Sequence, residues 1–167
     1  GQAGLPLGKD IVAELGAPAV DTLGQFSQLD APLVAPNHAA IAAMAAEHLL
    51  ERKFRHFAFV GVERANWSRA RRAALVKFLA NAGYPCFVYS PISRRRFAES
   101  WEGGQQDLAE WLADLPKPVG VVAAHDLRAL CVLDACRRGG LAVPEQVAVI
   151  GVDNDEPLCE LGDPPLS

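Results

Sequence analysis

No stretch of this 167-residue sequence approaches the roughly 20 consecutive apolar residues that span a bilayer, because Arg, Glu, Asp or Pro interrupts every apolar run. A surplus of positive charge is also missing. There are 16 Lys+Arg against 20 Asp+Glu, a net charge of −4, so the chain has no electrostatic footprint for wrapping nucleic acid or coating an anionic membrane. Cysteine is sparse. Cys86, Cys131, Cys136 and Cys159 form no CxxC pair and have no histidine at metal-ligand spacing, so no metal site is expected. Cys131 and Cys136 lie five apart in a helical-looking run, a poor geometry for a shared ligand or a bridge. An even count of four thiols could pair into disulfides; the simpler reading is reduced, buried cysteines of a cytosolic protein. Enzyme signatures are lacking too. No GxGxxG or GxxxxGK[ST] loop follows an apolar run, Gly61-Val62-Glu63-Arg64 is not a phosphate cradle, and no Gly-x-Ser-x-Gly elbow occurs. Neither a catalytic residue nor a cofactor is predicted. The chain opens on Gly1-Gln2-Ala3-Gly4 without a methionine, as a processed or trimmed fragment would.

What is present is a composition 50% hydrophobic and 22% charged, enough for one globular domain with one core. Strand and helix patterns alternate along it. A short helical piece over 9–15 stops at Gly16, an apolar run covers 17–23, and 24–32 reads as a loop. Asn37 opens a helix whose Ile41, Met44, Ala45, His48 and Leu49 recur at helical spacing. His56-Phe57-Ala58-Phe59-Val60-Gly61 is apolar on both faces, as an interior strand of a parallel sheet must be. A helix over 68–82 carries Arg71, Ala74, Leu75, Phe78 and Leu79 on one stripe, and Gly83 stops it. A short strand over 86–90 precedes a polar loop and a helix carrying Leu108, Trp111, Leu112 and Leu115. A third strand spans 119–124, a helix runs from Asp126 to Arg138, and a fourth strand covers 147–152. The tail, 153–167, has no periodicity. Alternation with short connections predicts βαβ units, hence an α/β domain with an open parallel sheet and helices on both faces. No internal repeat is visible.

In such folds the ligand crevice lies beyond the carboxyl ends of the strands, so the residues following each strand are the candidates. Arg71 sits near the start of its helix, where the macrodipole disfavours a cation, yet its stem points to the sheet. It therefore wants a carboxylate or a polar ligand opposite. Asp153, directly after the fourth strand, is the candidate carboxylate, and such a group can accept two hydroxyls of a vicinal diol. An internal Arg71–Asp153 ion pair pinning helix to sheet is the purely structural alternative, and Asp153 also suits a turn. Asp155 reads as the turn former. Asp126 is an N-cap candidate for its helix and a ligand candidate beside it, with His125 then facing the crevice. Trp67 and Trp101 could stack on the C–H face of a sugar ring, or simply form walls, whereas Trp111 reads as core. Arg69, Arg72 and the Arg94-Arg95-Arg96 run read as solvated.

These residues sit in stretches that resemble a known family. His48-Leu49-Leu50-Glu51-Arg52-Lys53-Phe54-Arg55-His56-Phe57-Ala58-Phe59-Val60-Gly61 is similar to the helix-to-strand signature of the sugar-binding, periplasmic-binding-protein-like module of the lactose/galactose-repressor family. So are Val121-Val122-Ala123-Ala124-His125-Asp126 and Val143-Pro144-Glu145-Gln146-Val147-Ala148-Val149-Ile150-Gly151-Val152-Asp153. Ala109-Glu110-Trp111-Leu112, Leu115-Pro116-Lys117-Pro118-Val119-Gly120 and the run from Val149 to Glu156 resemble xylose operon regulators in particular. The resemblance covers residues 9–167. It implies a sugar effector, a pentose such as xylose, bound in a cleft between two lobes, and a cytoplasmic homodimer whose grip on operator DNA responds. By position, Arg71 matches a family arginine that grips ligand hydroxyls, His125 matches an Asn or Asp at the third strand end, and Asp153 matches a ligand-binding aspartate. Ala74, His125 and Pro36-Asn37-His38 depart from the family pattern. On this reading residues 1–36 are a remnant of the amino-terminal lobe, 37–153 the carboxy-terminal lobe, and 154–167 a truncated crossover. No helix-turn-helix is visible, so DNA would be met through a domain outside this chain, and no membrane partner is expected. Two rivals are a periplasmic sugar-binding protein of a transporter and a small α/β enzyme.

Overall fold

The computed structural model describes residues 18, 20–22, 32–62, 65–89 and 101–166. The helix expected over 9–15, the loop 24–31 and the Arg94-Arg95-Arg96 run lie outside the described residues. Among these described residues nine elements follow in chain order: α1 (His38–Glu51), β1 (His56–Val60), α2 (Asn66–Asn81), β2 (Cys86–Val88), α3 (Trp101–Asp114), β3 (Val119–Ala123), α4 (Asp126–Gly139), β4 (Val147–Ile150) and α5 (Glu156–Glu160). The four strands form one parallel sheet in the order β2-β1-β3-β4. This is the α/β architecture that the alternation predicts.

The strand side chains split between two faces, as a period of two requires. Phe57, Phe59, Val122 and Ala124 pack under α1 and α2 with Leu49, Leu75 and Leu79. Ala58, Val60, Val119 and Val121 pack under α3 and α4 with Leu108, Leu112 and Val132. β1 and β3 are buried along nearly their whole length, which is why both read as uninterrupted apolar runs. Gly120 is required by this packing, since a Cβ there would lie 2.6 Å from Leu49. The helix ends are fixed locally. The Asn37 Oδ1 accepts the Ala40 N–H at 3.1 Å to start α1, and Gly140 takes a left-handed φ of 64° to end α4. At the close of α3, Lys117 Nζ donates to the carbonyls of Leu112 and Leu115 at 2.5 and 2.6 Å.

Chain order and sheet order diverge between β1 and β3. The chain leaves β1 outward to β2, then crosses back to the other side of β1 to form β3. Connections on opposite faces part at that point, where open α/β sheets hold their ligand crevice, outside the carboxyl ends of the strands. Several boundaries differ from the sequence reading: β2 and β4 each end two residues early, at Val88 and Ile150, and β3 ends one early, at Ala123. α2 starts at Asn66, two residues early, so Arg71 sits in its second turn. The tail contains the short helix α5, capped by Asp155, whose carboxylate accepts the Leu158 N–H at 3.4 Å. Asp155 is thus a cap. The turn itself is made by Asp153 and Asn154, with φ of 105° and 55°.

Candidate functional site

Three of the sequence candidates meet above the β1/β3 switch point. Arg71 comes from α2, and its Nη1 donates to the carbonyl of Ala124, the residue that follows β3. Its guanidinium lies over the Trp67 ring, Cζ to centroid 5.6 Å. Trp67 also packs against His125, with ring centroids 5.4 Å apart and planes tilted by 33°. Ser68 fixes the entry to α2, because its buried Oγ accepts the Val62 N–H at 2.9 Å and so ties the helix to the β1 loop.

Arg71 is only 3% exposed, yet it forms no ion pair among the described residues, and its Nε has no hydrogen-bond partner there. Burial pulls the guanidinium below its ordinary range, and the carboxylates of Asp153 and then Asp126 oppose that shift. No ion pair or hydrogen bond joins Arg71 to Asp153 among the described residues, and the Asp153 charge acts on the guanidinium through space alone. Asp153 is exposed. The capping roles of His125 and Asp126 are reversed from the sequence reading. His125 is the N-cap of α4: its backbone is extended and its Nδ1 accepts the Arg128 N–H at 2.9 Å. With Nδ1 as acceptor, the neutral imidazole carries its proton on Nε2. Asp126 is the first helical residue and is 3% exposed, with Oδ2 accepting the Asp155 N–H at 2.8 Å. As the first residue inside the helix Asp126 is past the cap position, and its carboxylate instead holds an amide 29 residues away.

The other candidates lie elsewhere. Trp101 stands 61% exposed at the start of α3 and has no ring partner among the described residues. Trp111 packs on Tyr89 at 5.1 Å at the margin of the α3/α4 core. Arg69 and Arg72 are exposed. One site residue escaped the sequence reading in its role. His38, the first residue of α1, has a buried Nδ1 with no partner among the described residues, and both burial and the Arg71 charge lower its pKa. The usable signal was Asn37 as a cap. A helix that precedes β1 and runs against it must begin at the carboxyl edge of the sheet.

Arg71 thus brings donors to the β1/β3 strand ends, Trp67 and His125 a stacked aromatic wall, and Asp153 a carboxylate in the turn after β4. Alternating donors and acceptors beside an aromatic face suit a polyhydroxylated ligand. Among the described residues, no group of three or more His, Cys, Asp or Glu could hold a metal ion, and no helix is long and apolar enough to cross a membrane.

Comparison with known proteins gives the same architecture. Residues 46–167 match the family described as periplasmic binding protein-like domain. The xylose operon regulatory protein of Haemophilus influenzae is 35% identical over 146 residues, covering 83% of this chain and 37% of that protein. Its namesake from Escherichia coli K12 is 31% identical over 152 residues, covering 87% of this chain and 38% of that protein. The solved structure of a xylose-binding transcription activator superposes with a TM-score of 0.76 at 29% identity, over 91% of this chain and 41% of that one. This chain spans little more than a third of the length of the two regulatory proteins.

Proposed function

We propose that this chain, which belongs to the periplasmic binding protein-like domain family, is the effector-sensing part of a transcription regulator and that its effector is a sugar, a pentose such as xylose. The observation that carries this reading is Arg71: a guanidinium held 3% exposed at the switch point, without a carboxylate partner among the described residues and with an unused Nε. Burying a cation in that state is costly unless a ligand completes its hydrogen bonds. Trp67 and His125 add a wall for the C–H face of a sugar, and Asp153 an acceptor for adjacent hydroxyls. The relation to two xylose operon regulatory proteins supports a pentose. Residues 37–153 would form one lobe, the rest of a longer cytoplasmic protein would supply the other, and sugar would act by favouring one lobe and dimer arrangement. Operator DNA would be bound by a domain outside this chain. Free thiols at all four cysteines weigh against the transporter-protein alternative.

The test is calorimetric titration of the intact protein carrying this chain with D-xylose, L-arabinose, D-ribose and D-glucose. A pentose binds, and Arg71→Ala or Asp153→Ala weakens it roughly tenfold or more, as the loss of a charged hydrogen bond of about 1.5–3 kcal/mol requires. Unchanged affinity in both variants would make the two residues structural and sink the assignment.

A further inference from the structure

We propose that Asp126 is a positioning residue: it clamps the turn that presents Asp153 and makes no contact with the effector itself. This rests on the polyol-site reading above. The chain leaves β4 at Ile150 and turns through residues 151–155 into α5. Asp126 grips that turn on both sides of its bend. Its backbone N–H donates to the Val152 carbonyl at 3.0 Å, and its Oδ2 accepts the Asp155 N–H at 2.8 Å. Between these two anchors lie Asp153 and Asn154, with φ of 105° and 55°. A non-glycine residue at φ 105° is held outside its favoured regions and persists only where its surroundings over-determine it. Packing cannot do so here, because Asp153 is exposed. The two hydrogen bonds from one buried residue can, since relaxing Asp153 would displace either the Val152 carbonyl or the Asp155 amide.

Gly151 completes the clamp. A Cβ at that position would lie 2.2 Å from the Asp126 Oδ1, so the carboxylate reaches the turn only because residue 151 has no side chain. Asp126 is itself held in place by the His125 cap and by burial of α4 through Ala129 and Val132. Its charge also acts on Arg71, so charge and clamp must be separated experimentally. Asn at 126 keeps an acceptor for the Asp155 amide and removes the charge, whereas Ala removes both.

The experiment measures D-xylose affinity by calorimetry and Asp155 amide exchange by NMR, on the intact protein. Asp126→Ala speeds exchange at Asp155 and weakens D-xylose roughly tenfold or more, while Asp126→Asn stays within about threefold of the parent in both. In an Asp153→Ala background, Asp126→Ala causes no further loss of affinity, because the two act through one turn. Gly151→Ala reproduces the effect from the opposite side and serves if Asp126→Ala fails to fold. The proposal is overturned if Asp155 exchange is unchanged in both Asp126→Ala and Gly151→Ala. It is equally overturned if losses at 126 and 153 are additive, or if Asn is as damaging as Ala. Absence of sugar binding by the parent protein would remove the site reading, and Asp155 exchange would then decide the clamp by itself.

Discussion

Arg71 shows how a single residue can serve a ligand at the expense of the empty fold. Taking a guanidinium with no ion pair among the described residues out of water costs several kcal/mol, whereas its bond to the Ala124 carbonyl returns roughly 1.5–3 kcal/mol. The desolvation side is the larger. Arg71→Met, which fills the same space without charge, therefore keeps or raises the urea midpoint of the sugar-free protein while sugar binding falls. A midpoint lowered by more than about 1 kcal/mol equivalent would assign Arg71 to the fold instead. His38 lies in the same field. Burial first, and the Arg71 cation second, lower its pKa below the ordinary 6.5. Between 6.5 and that lower folded value the unfolded chain binds more protons, so stability falls as pH drops through this window. His38→Gln should flatten the stability profile between pH 7 and pH 5 in urea titrations; an unchanged slope would place the titration on other groups. Residue-level legibility was uneven at this site. Arg71 was readable because a cation on an apolar helical stripe contradicts its surroundings. The His125/Asp126 exchange was not, because two adjacent polar residues can each cap, and the decision is made by the distant Asp155 amide.

At the scale of elements, the strands and long helices were legible because burial on both faces leaves no room for polar residues in β1 and β3. α5 was not, since a five-residue helix is shorter than two turns and presents no period. The close fit of α1 to the sheet was also hidden, because sequence does not say which helix crosses which glycine. That fit is testable. An alanine at Gly120 would put its Cβ 2.6 Å from a Leu49 side chain that is 1% exposed and cannot swing into solvent. Gly120→Ala should destabilise by about 1–3 kcal/mol through overpacking. Gly139→Ala, whose added carbon meets only ordinary contacts from 3.7 Å, is the matched control and should cost nothing measurable. Equal midpoints for the two variants would mean that α1 can lift from the sheet without penalty.

For the whole molecule, the switch point between β1 and β3 followed from strand–helix alternation once the order β2-β1-β3-β4 was fixed, and that order is a tertiary fact no local pattern encodes. The thiols report on this whole unit. Burial pushes Cys86 up to about 12 and Cys136 up to about 11, so at neutral pH both stay protonated and unreactive while the fold is closed. Above the unfolded thiol range near pH 9 the unfolded chain sheds these protons first, and stability falls as pH rises. At pH 8, alkylation of Cys136, fully buried between α4 and the sheet, should require opening of the domain, with a rate set by the open fraction when closing outpaces reaction. A ligand that binds only the closed form lowers that fraction by 1 + [L]/Kd. D-xylose added to the intact protein should then slow Cys136 alkylation by the factor its measured Kd dictates. If sugar binds and the rate does not change, Cys136 is reached by local fraying of α4, and the sheet with its two helical layers does not open as one unit.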